Sequence, residues 1–364
     1  MSAVTSFSLT VAAGVLSVAL VLTRVLIGLA QKYHWVCKPK ADRWHQKPTA
    51  LYGGVAIFGA FAVGSLALFR TLALSTNPAL CGLLIGAVII FAVGLRDDIK
   101  PLNPLIKLMG QVMATMPVLV GMTLATPSTS TILALPLVFS WIVLLTNSLN
   151  LLDNMDGLCA GTAAVIGTLI SAFAFFTGQP QIGALGAVLV AACLGFLVFN
   201  FRPTGSARIF MGDSSSLLLG FVLSGLSALA ARPMPNDKIS PMLLPLFLMA
   251  VPLFDTGLVI VRRKREGRAI SQGGRDHSSH RLVYAGLSEK RAVMMLCLVS
   301  LLCGGIGIAF VFLEMPLLMI GTMVGGVFAL TAFGNYLARF TGPTEAVTAT
   351  PAATVRDKAT AEVR

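Results

Sequence analysis

Runs of about twenty apolar residues, separated by short polar breaks, repeat along nearly the whole chain. They lie near 7–31, 49–69, 79–95, 105–125, 131–149, 157–176, 182–201, 214–231, 241–261, 292–313 and 315–338. A bilayer core roughly 30 Å thick takes about 20 mostly apolar residues per helical crossing. The pattern therefore predicts an all-α polytopic integral membrane protein with about eleven transmembrane helices. Little chain remains for a soluble domain. Residues 1–341 read as one multi-span domain whose loops carry the chemistry, and 342–364, rich in Thr and Ala, as a disordered tail. The first run has no basic leader and no clear cleavage site, so it reads as a retained helix.

Composition agrees: 56% of the 364 residues are hydrophobic and 12% are charged, against roughly 25% charged in an average soluble domain. The charges are also one-sided. Numbering the connections in order, the odd loops and the segment from Arg339 onward hold 23 of the 27 Lys and Arg. By the positive-inside rule these face the cytoplasm, with the N-terminus outside and the C-terminus inside. A net charge of +12 is then explained by topology and by anionic lipid heads rather than by nucleic acid. The six cysteines show no metal-finger or CxxC spacing and read as packing residues.

The acids sharpen the picture. Asp97, Asp98, Asp153, Asp156, Asp213 and Asp276 all fall on the basic, cytoplasmic side, whereas Asp237 and Glu314 lie outside. Carboxylates gathered among basic loops suit a phosphorylated substrate and a divalent cation.

Four stretches carry this chemistry. In "GLRDDIKPLNP" (94–104) Asp97 and Asp98 project about 100° apart on a helix and so do different jobs. A solvated helix end with Arg96 and Lys100 as counter-charges accounts for them equally well. In "NSLNLLDNMDGL" (147–158) Asn147, Asn150, Asp153 and Asp156 recur every third residue, a spacing that drifts around a helix. The helix is expected to end near Asp153 and residues 154–157 to turn. Turn chemistry explains Asp156 and Gly157, but not Asn147 and Asn150 within the last apolar turn, where unpaired polar groups are costly.

In "RIFMGDSSSLLLG" (208–220) Asp213 is a natural N-cap for the helix that follows, and Gly212 with the free N–H groups makes a phosphate site. Phe210 reads first as core or interface filling. In "RRKREGRAISQGGRDHSSHRL" (262–282) Arg262 to Arg265 serve as topology signals. Arg275, His277, His280 and Arg281 concentrate donors suited to phosphate oxygens and proton transfer. Two His without Cys make a zinc site weak. Asp255, inside the ninth run, is a functional candidate by its depth, or else the partner of a nearby arginine.

Two function classes fit: a Mg²⁺-using enzyme at the cytoplasmic face that moves a phosphoryl-linked group between a nucleotide donor and a lipid acceptor, and an ion-coupled transporter. A transporter places its sites near the midplane, often in matching halves. Here the acids gather at one surface and no internal repeat stands out, so the enzyme leads.

Together "KPTALYGGVAIF" (47–58), "GLRDDIK" (94–100), "NSLNLLDNMDGL" (147–158), "FMGDSSSLLLGF" (210–221), "PLFDTGLVIVRR" (252–263) and "GGRDHSSHRL" (273–282) resemble the polyprenyl-phosphate N-acetylhexosamine-1-phosphate transferase family. The resemblance implies a bacterial inner-membrane enzyme, active at its cytoplasmic face, that moves a sugar-1-phosphate from a UDP-N-acetylhexosamine to undecaprenyl phosphate, releasing UMP. That step starts a cell-surface glycan.

It implies that Asn150 and Asp213 hold Mg²⁺, which Mn²⁺ could replace, and that Phe210 and Asp156 contact the uracil side. Asp97 and Asp98 would sit beside the lipid phosphate, Asp153 would support the metal region, and Arg275, His277, His280 and Arg281 would bind donor phosphates or sugar. The catalytic set is then Asp97, Asp98, Asp153, Asp156, His277 and His280, with Asn147 and Asn150 added to the substrate-binding residues. Direct attack on the β-phosphorus is favoured over a covalent aspartyl intermediate. Membrane lipids are partners, and a homodimer is compatible with such a chain. Lys100 resembles the phospho-N-acetylmuramoyl-pentapeptide branch, but that branch shows a run of His where "HSSH" has two. Eleven spans lean to N-acetylglucosamine.

Overall fold

Helix starts are written into the chain as Asn or Ser followed by Pro or an apolar run. The Asn77 side chain accepts from the Leu80 N–H ahead of α3 (Pro78–Ile99), and Asn103 does the same for Leu105 ahead of α4 (Pro104–Ala125). Both helices carry Pro at their first position, where the missing N–H costs nothing. Ser128 caps α5 (Thr129–Leu152) and Ser288 caps α12 (Glu289–Phe312) in the same way. The computed structural model describes residues 3–37, 49–231, 239–269, 274–337 and 339–340. The expected tail at 342–364, Lys47, Pro48 and Gly273 lie outside the described residues.

The remaining elements are α1 (Ala3–Lys32), α2 (Gly53–Thr71), α6 (Leu158–Phe176), α7 (Pro180–Asn200), α8 (Asp213–Ala230), α9 (Ser240–Leu248), α10 (Ala250–Arg265), α11 (Ser278–Tyr284) and α13 (Pro316–Leu337). Among the described residues ten helices are long and apolar enough to cross a membrane, eleven if the pair α9 and α10, bent by 62°, counts as one broken span. The ninth apolar run was expected to form one continuous helix over 241–261. The reason for the break is Pro252, which offers no N–H to the Leu248 carbonyl and whose ring crowds it.

α8 sits at the centre, buried along nearly its whole length and packed by α3, α5, α6 and α2. Close approach, not hydrophobicity, holds helices together in lipid. Gly94 on α3 shows why: a Cβ there would lie 2.6 Å from the Asp213 carbonyl oxygen and 2.6 Å from Ser214 Cα. The glycine lets the end of α3, with its acid pair, touch the start of α8.

A short backbone clamp fixes that start from the other side. Strands β1 (Val36–Cys37) and β2 (Thr49–Ala50) pair antiparallel, and Ala50 bridges in parallel to Ile209. The Gly53 and Gly54 N–H groups then donate to the Phe210 and Met211 carbonyls at 2.9 Å each. Residues 208–211 are thereby held in an extended path leading into α8.

Candidate active site

The acid pair at the end of α3 divides its work. Both oxygens of Asp98 accept from the start of α8: the Asp213 N–H at 2.7 Å and the Ser214 N–H at 3.0 Å. A helix leaves its first N–H groups without partners and its N-terminus partly positive, so a carboxylate from α3 caps α8. Asp213 was expected to be the N-cap. That position belongs to Gly212, whose φ of 78° opens the turn, and a Cβ on it would lie 2.7 Å from both Asp98 oxygens. Asp213 is the first helical residue, with its side chain free of capping.

Asp97 faces elsewhere. Its Oδ1 accepts from the Leu102 N–H at 2.6 Å and its Oδ2 meets Lys107 Nζ at 3.0 Å. The same ammonium lies 2.6 Å from Asp213 Oδ2. Lys107 therefore bridges the two carboxylates, a role expected of Arg96 and Lys100; Arg96 donates instead to the Lys100 carbonyl. Asn150, near the end of α5, donates to Asp213 Oδ1 at 2.7 Å and to Ser216 Oγ at 2.9 Å. Both contacts use its amide nitrogen. Asn147, one turn earlier, forms a reciprocal amide pair with Gln111 on α4 (2.6 and 3.1 Å), which answers the cost of an amide at that depth.

Beyond α5 the chain turns as expected, with Asp153 as the C-cap and Gly157 at φ 80°. Asn200, fully engaged and buried, accepts from the Gly157 N–H at 2.7 Å and donates to the Ile209 carbonyl at 2.9 Å, tying this turn to the clamp that leads into α8. Asp153 is pushed up to about 8 by desolvation and by the charges of Asp213, Asp156 and Asp98. Burial also raises Asp156 to about 6, with repulsion from Glu289 adding, even though the Ala207 N–H donates to it. Four carboxylates thus crowd one small region. It is an electrostatic demand for positive charge.

The basic loop closes over this end from α10 and α11. Asp276 is 1% exposed and takes Arg263 Nε at 3.0 Å and Arg268 Nη2 at 2.8 Å. Burial opposes its ionisation, but the two guanidinium groups outweigh that and hold it below the usual carboxylate range. Arg263, expected only to mark topology, is a buried structural partner. Asp255 meets a histidine. Its Oδ2 lies 2.7 Å from His277 Nδ1.

His280 is pushed down to about 3, chiefly by burial and then by the charges of His277 and Arg275. At neutral pH it is an uncharged imidazole rather than the cation the loop's composition suggested. Arg281 is buried, and its guanidinium donates to the Phe340 carbonyl. Ser279 Oγ donates to Asn154 Oδ1 at 2.5 Å. That bond stitches the basic loop to the acidic turn.

Residues 80–231 match the family described as glycosyl transferase family 4. Over 332 residues, covering 89% of this chain and 89% of the relative, the chain is 31% identical to a probable undecaprenyl-phosphate N-acetylglucosaminyl 1-phosphate transferase of Bacillus subtilis. The chain belongs to this family. A decaprenyl-phosphate N-acetylglucosaminephosphotransferase of Mycolicibacterium smegmatis is 34% identical over 309 residues, 74% of each chain. An undecaprenyl-phosphate alpha-N-acetylglucosaminyl 1-phosphate transferase of Escherichia coli is 26% identical over 320 residues, 82% of this chain and 84% of that one. The family is the one the six motifs resemble.

Within this family member the structure joins Asp97, Asp98, Asn150 and Asp213 in one hydrogen-bonded junction, with Asp153 and Asp156 in the adjoining turn and His277 and His280 in the loop bound to that turn. Phe210 is held through its backbone, donating to Ala50 and accepting from Gly53. Sequence reasoning passed over Lys107, counted only as a topology charge, and Asn200. The signal for Lys107 was its place one turn into an apolar helix, where an ionisable residue is expensive.

The donor set also fits Mg²⁺. The Asp213 carboxylate is a hard oxygen donor on which a cation, the Lys107 ammonium, already sits, while Asn150 turns its amide nitrogen to it and would offer oxygen to a metal only after the amide flips. Among the described residues no three His, Cys, Asp or Glu converge as a metal cage. One carboxylate completed by substrate phosphates is a usual arrangement for this ion.

Proposed function

We propose that the protein transfers N-acetylglucosamine-1-phosphate from its UDP-linked donor to undecaprenyl phosphate at the cytoplasmic membrane face, releasing UMP and initiating a cell-surface glycan. The observation that carries this reading is the junction of Asp97, Lys107, Asp213 and Asn150 where α3, α4, α5 and α8 meet. The names of the three relatives support the acceptor class and the sugar.

Two anions must meet in this reaction, so positioning and charge neutralisation supply most of the catalysis. Asn150 and Asp213 would hold Mg²⁺, which would neutralise charge on the donor diphosphate. Lys107, which lies between Asp97 and Asp213, would supply a further positive charge to a substrate phosphate. The acceptor phosphate oxygen attacks the β-phosphorus, a new P–O bond forms, and the bond to UMP breaks. Any proton left on the acceptor would go to Asp97 once Lys107 turns from its Oδ2 toward the substrate phosphate. Asp98 has both oxygens committed to the N–H groups of α8, which favours direct displacement over an intermediate on that residue. Asp156 and Phe210 are assigned to the uracil side, and the loop with Arg275, His277 and His280 to donor phosphates or sugar.

The test is UMP release by purified protein in detergent with undecaprenyl phosphate, Mg²⁺ and either UDP-N-acetylglucosamine or UDP-muramoyl-pentapeptide. Release that needs lipid and cation and prefers UDP-N-acetylglucosamine is the expected result. No release with any UDP-sugar would overturn the reading, and preference for the pentapeptide donor would change the branch.

A further inference from the structure

Asp255 is a carboxylate inside a membrane-crossing segment with none of its surface exposed. Such a group persists only when its charge is answered. Here three hydrogen bonds answer it, all from two consecutive residues of the basic loop. His277 Nδ1 lies 2.7 Å from Oδ2, while the Ser278 N–H and Ser278 Oγ donate to Oδ1 at 2.7 and 2.6 Å. Asp255 lies in the second turn of α10, just past the bend at Met249. With both oxygens occupied, Asp255 anchors the loop.

Ser278 alone would suffice to anchor the loop. The imidazole bond adds something different. It commits Nδ1 as a donor, fixes the ring's tautomer and orientation, and leaves Nε2 as the one nitrogen able to meet a substrate. A carboxylate behind the ring is the relation seen where an acid orients a catalytic histidine. The neighbouring ring of His280, 5.7 Å away between centroids, is held neutral by its burial and adds no repulsion.

We propose that Asp255 is a positioning residue for the transfer reaction, acting through His277 by holding its Nδ1–H so that Nε2 faces the donor's phosphate or sugar. The inference rests on the transferase reading. Its test is a double-mutant cycle on UMP release by the full chain in detergent, with Asp255→Asn, His277→Ala and the pair.

His277→Ala should lower kcat about 100-fold, the scale of one lost proton-transfer or hydrogen-bonding group. Asp255→Asn should lose most of that factor in kcat with KM for the lipid unchanged, and should cost nothing further in the His277→Ala background. Losses that multiply would overturn the proposal and leave Asp255 as a loop anchor. Should Asp255→Asn fail to fold, Ser278→Ala loosens the same carboxylate by one bond; its smaller loss must likewise vanish when His277 is Ala.

A second readout does not depend on turnover. Histidine ¹⁵N spectra of the full chain, with the His277 signal assigned by its loss in His277→Ala, should show a ring protonated at Nδ1 in the wild type and a mixture of tautomers in Asp255→Asn. An unchanged tautomer would refute the positioning role. A wild type that releases no UMP yet shows the Asp255-dependent tautomer would refute the transferase reading alone.

Discussion

The acidic junction and the basic loop lie at the same end of the helix bundle, and they are anchored differently. At the junction packed backbone fixes Asp98, and Lys107 and Asn150 join Asp97 and Asp213 around it. Asp98 is fixed by two N–H groups of α8, and glycine lets α3 reach them. In the loop side chains hold side chains, through Asp255 on His277 and Ser278, Asp276 on Arg263 and Arg268, and Asn154 on Ser279. Backbone contacts between packed helices have one arrangement, while a loop tethered by charged pairs can open when a tether is cut. The proposed function accordingly assigns the acids to the chemistry and the loop to gripping a substrate that must come and go.

That contrast breaks first, if it breaks, at Asp213. Asp213→Asn keeps the shape of the junction but removes the charge that faces Lys107 and the expected cation, and turnover should fall by about 1,000-fold, the upper scale for one electrostatic stabiliser. Thermal unfolding should barely move. Near-wild-type UMP release in Mg²⁺ would end its role as a ligand. Lys107→Met comes next, with a loss of about 100-fold that extra Mg²⁺ does not restore; full activity would make the ammonium a structural filler between Asp97 and Asp213.

Asp276→Asn tests the other half. Leaving Arg263 buried beside a neutral amide costs about 3–5 kcal/mol of local stability, and because the loop opens, KM for the UDP-sugar should rise about 10-fold with kcat less affected. A pure kcat loss would place the loop in the chemistry instead. The contribution has a definite pH sense. Asp276 is held below its ordinary value when folded, so its stabilisation is present at neutral pH and is lost as pH falls through and below the usual carboxylate range.

Asp153 gives the reverse sign. Its pKa is raised from 3.8 to about 8, so the unfolded chain binds fewer protons between these values and stability falls as pH rises across that window. Asp153→Asn should therefore raise the unfolding temperature of the metal-free protein at pH 8 and leave it unchanged near pH 4 while reducing turnover. Equal effects at both pH values would mean the carboxylate is not strained by its neighbours. The smallest effect belongs to Lys264→Ala, an exposed change expected within about 0.5 kcal/mol of neutral and far below the activity loss of His280→Ala. If the two matched, the loop would act only through its bulk charge.

The sequence by itself determined the number and course of the crossings, because lipid satisfies no backbone group and demands about 20 apolar residues each time. It also marked Asp97, Asp98, Asn150, Asp153 and Asp213, since polar groups at apolar helix ends need a reason to be there. The break at Met249 was missed, although Pro252 is its signal. What each oxygen faces was decided only in three dimensions. Asp98 caps a helix that begins 115 residues later, Lys107 spans 106 residues to reach Asp213, and Asp255 meets His277 across a bend. Local spacing reports which face of one helix a group lies on. Which partner answers its charge depends on which helices approach closely enough to exclude water and lipid between them, and that is a property of the packed bundle.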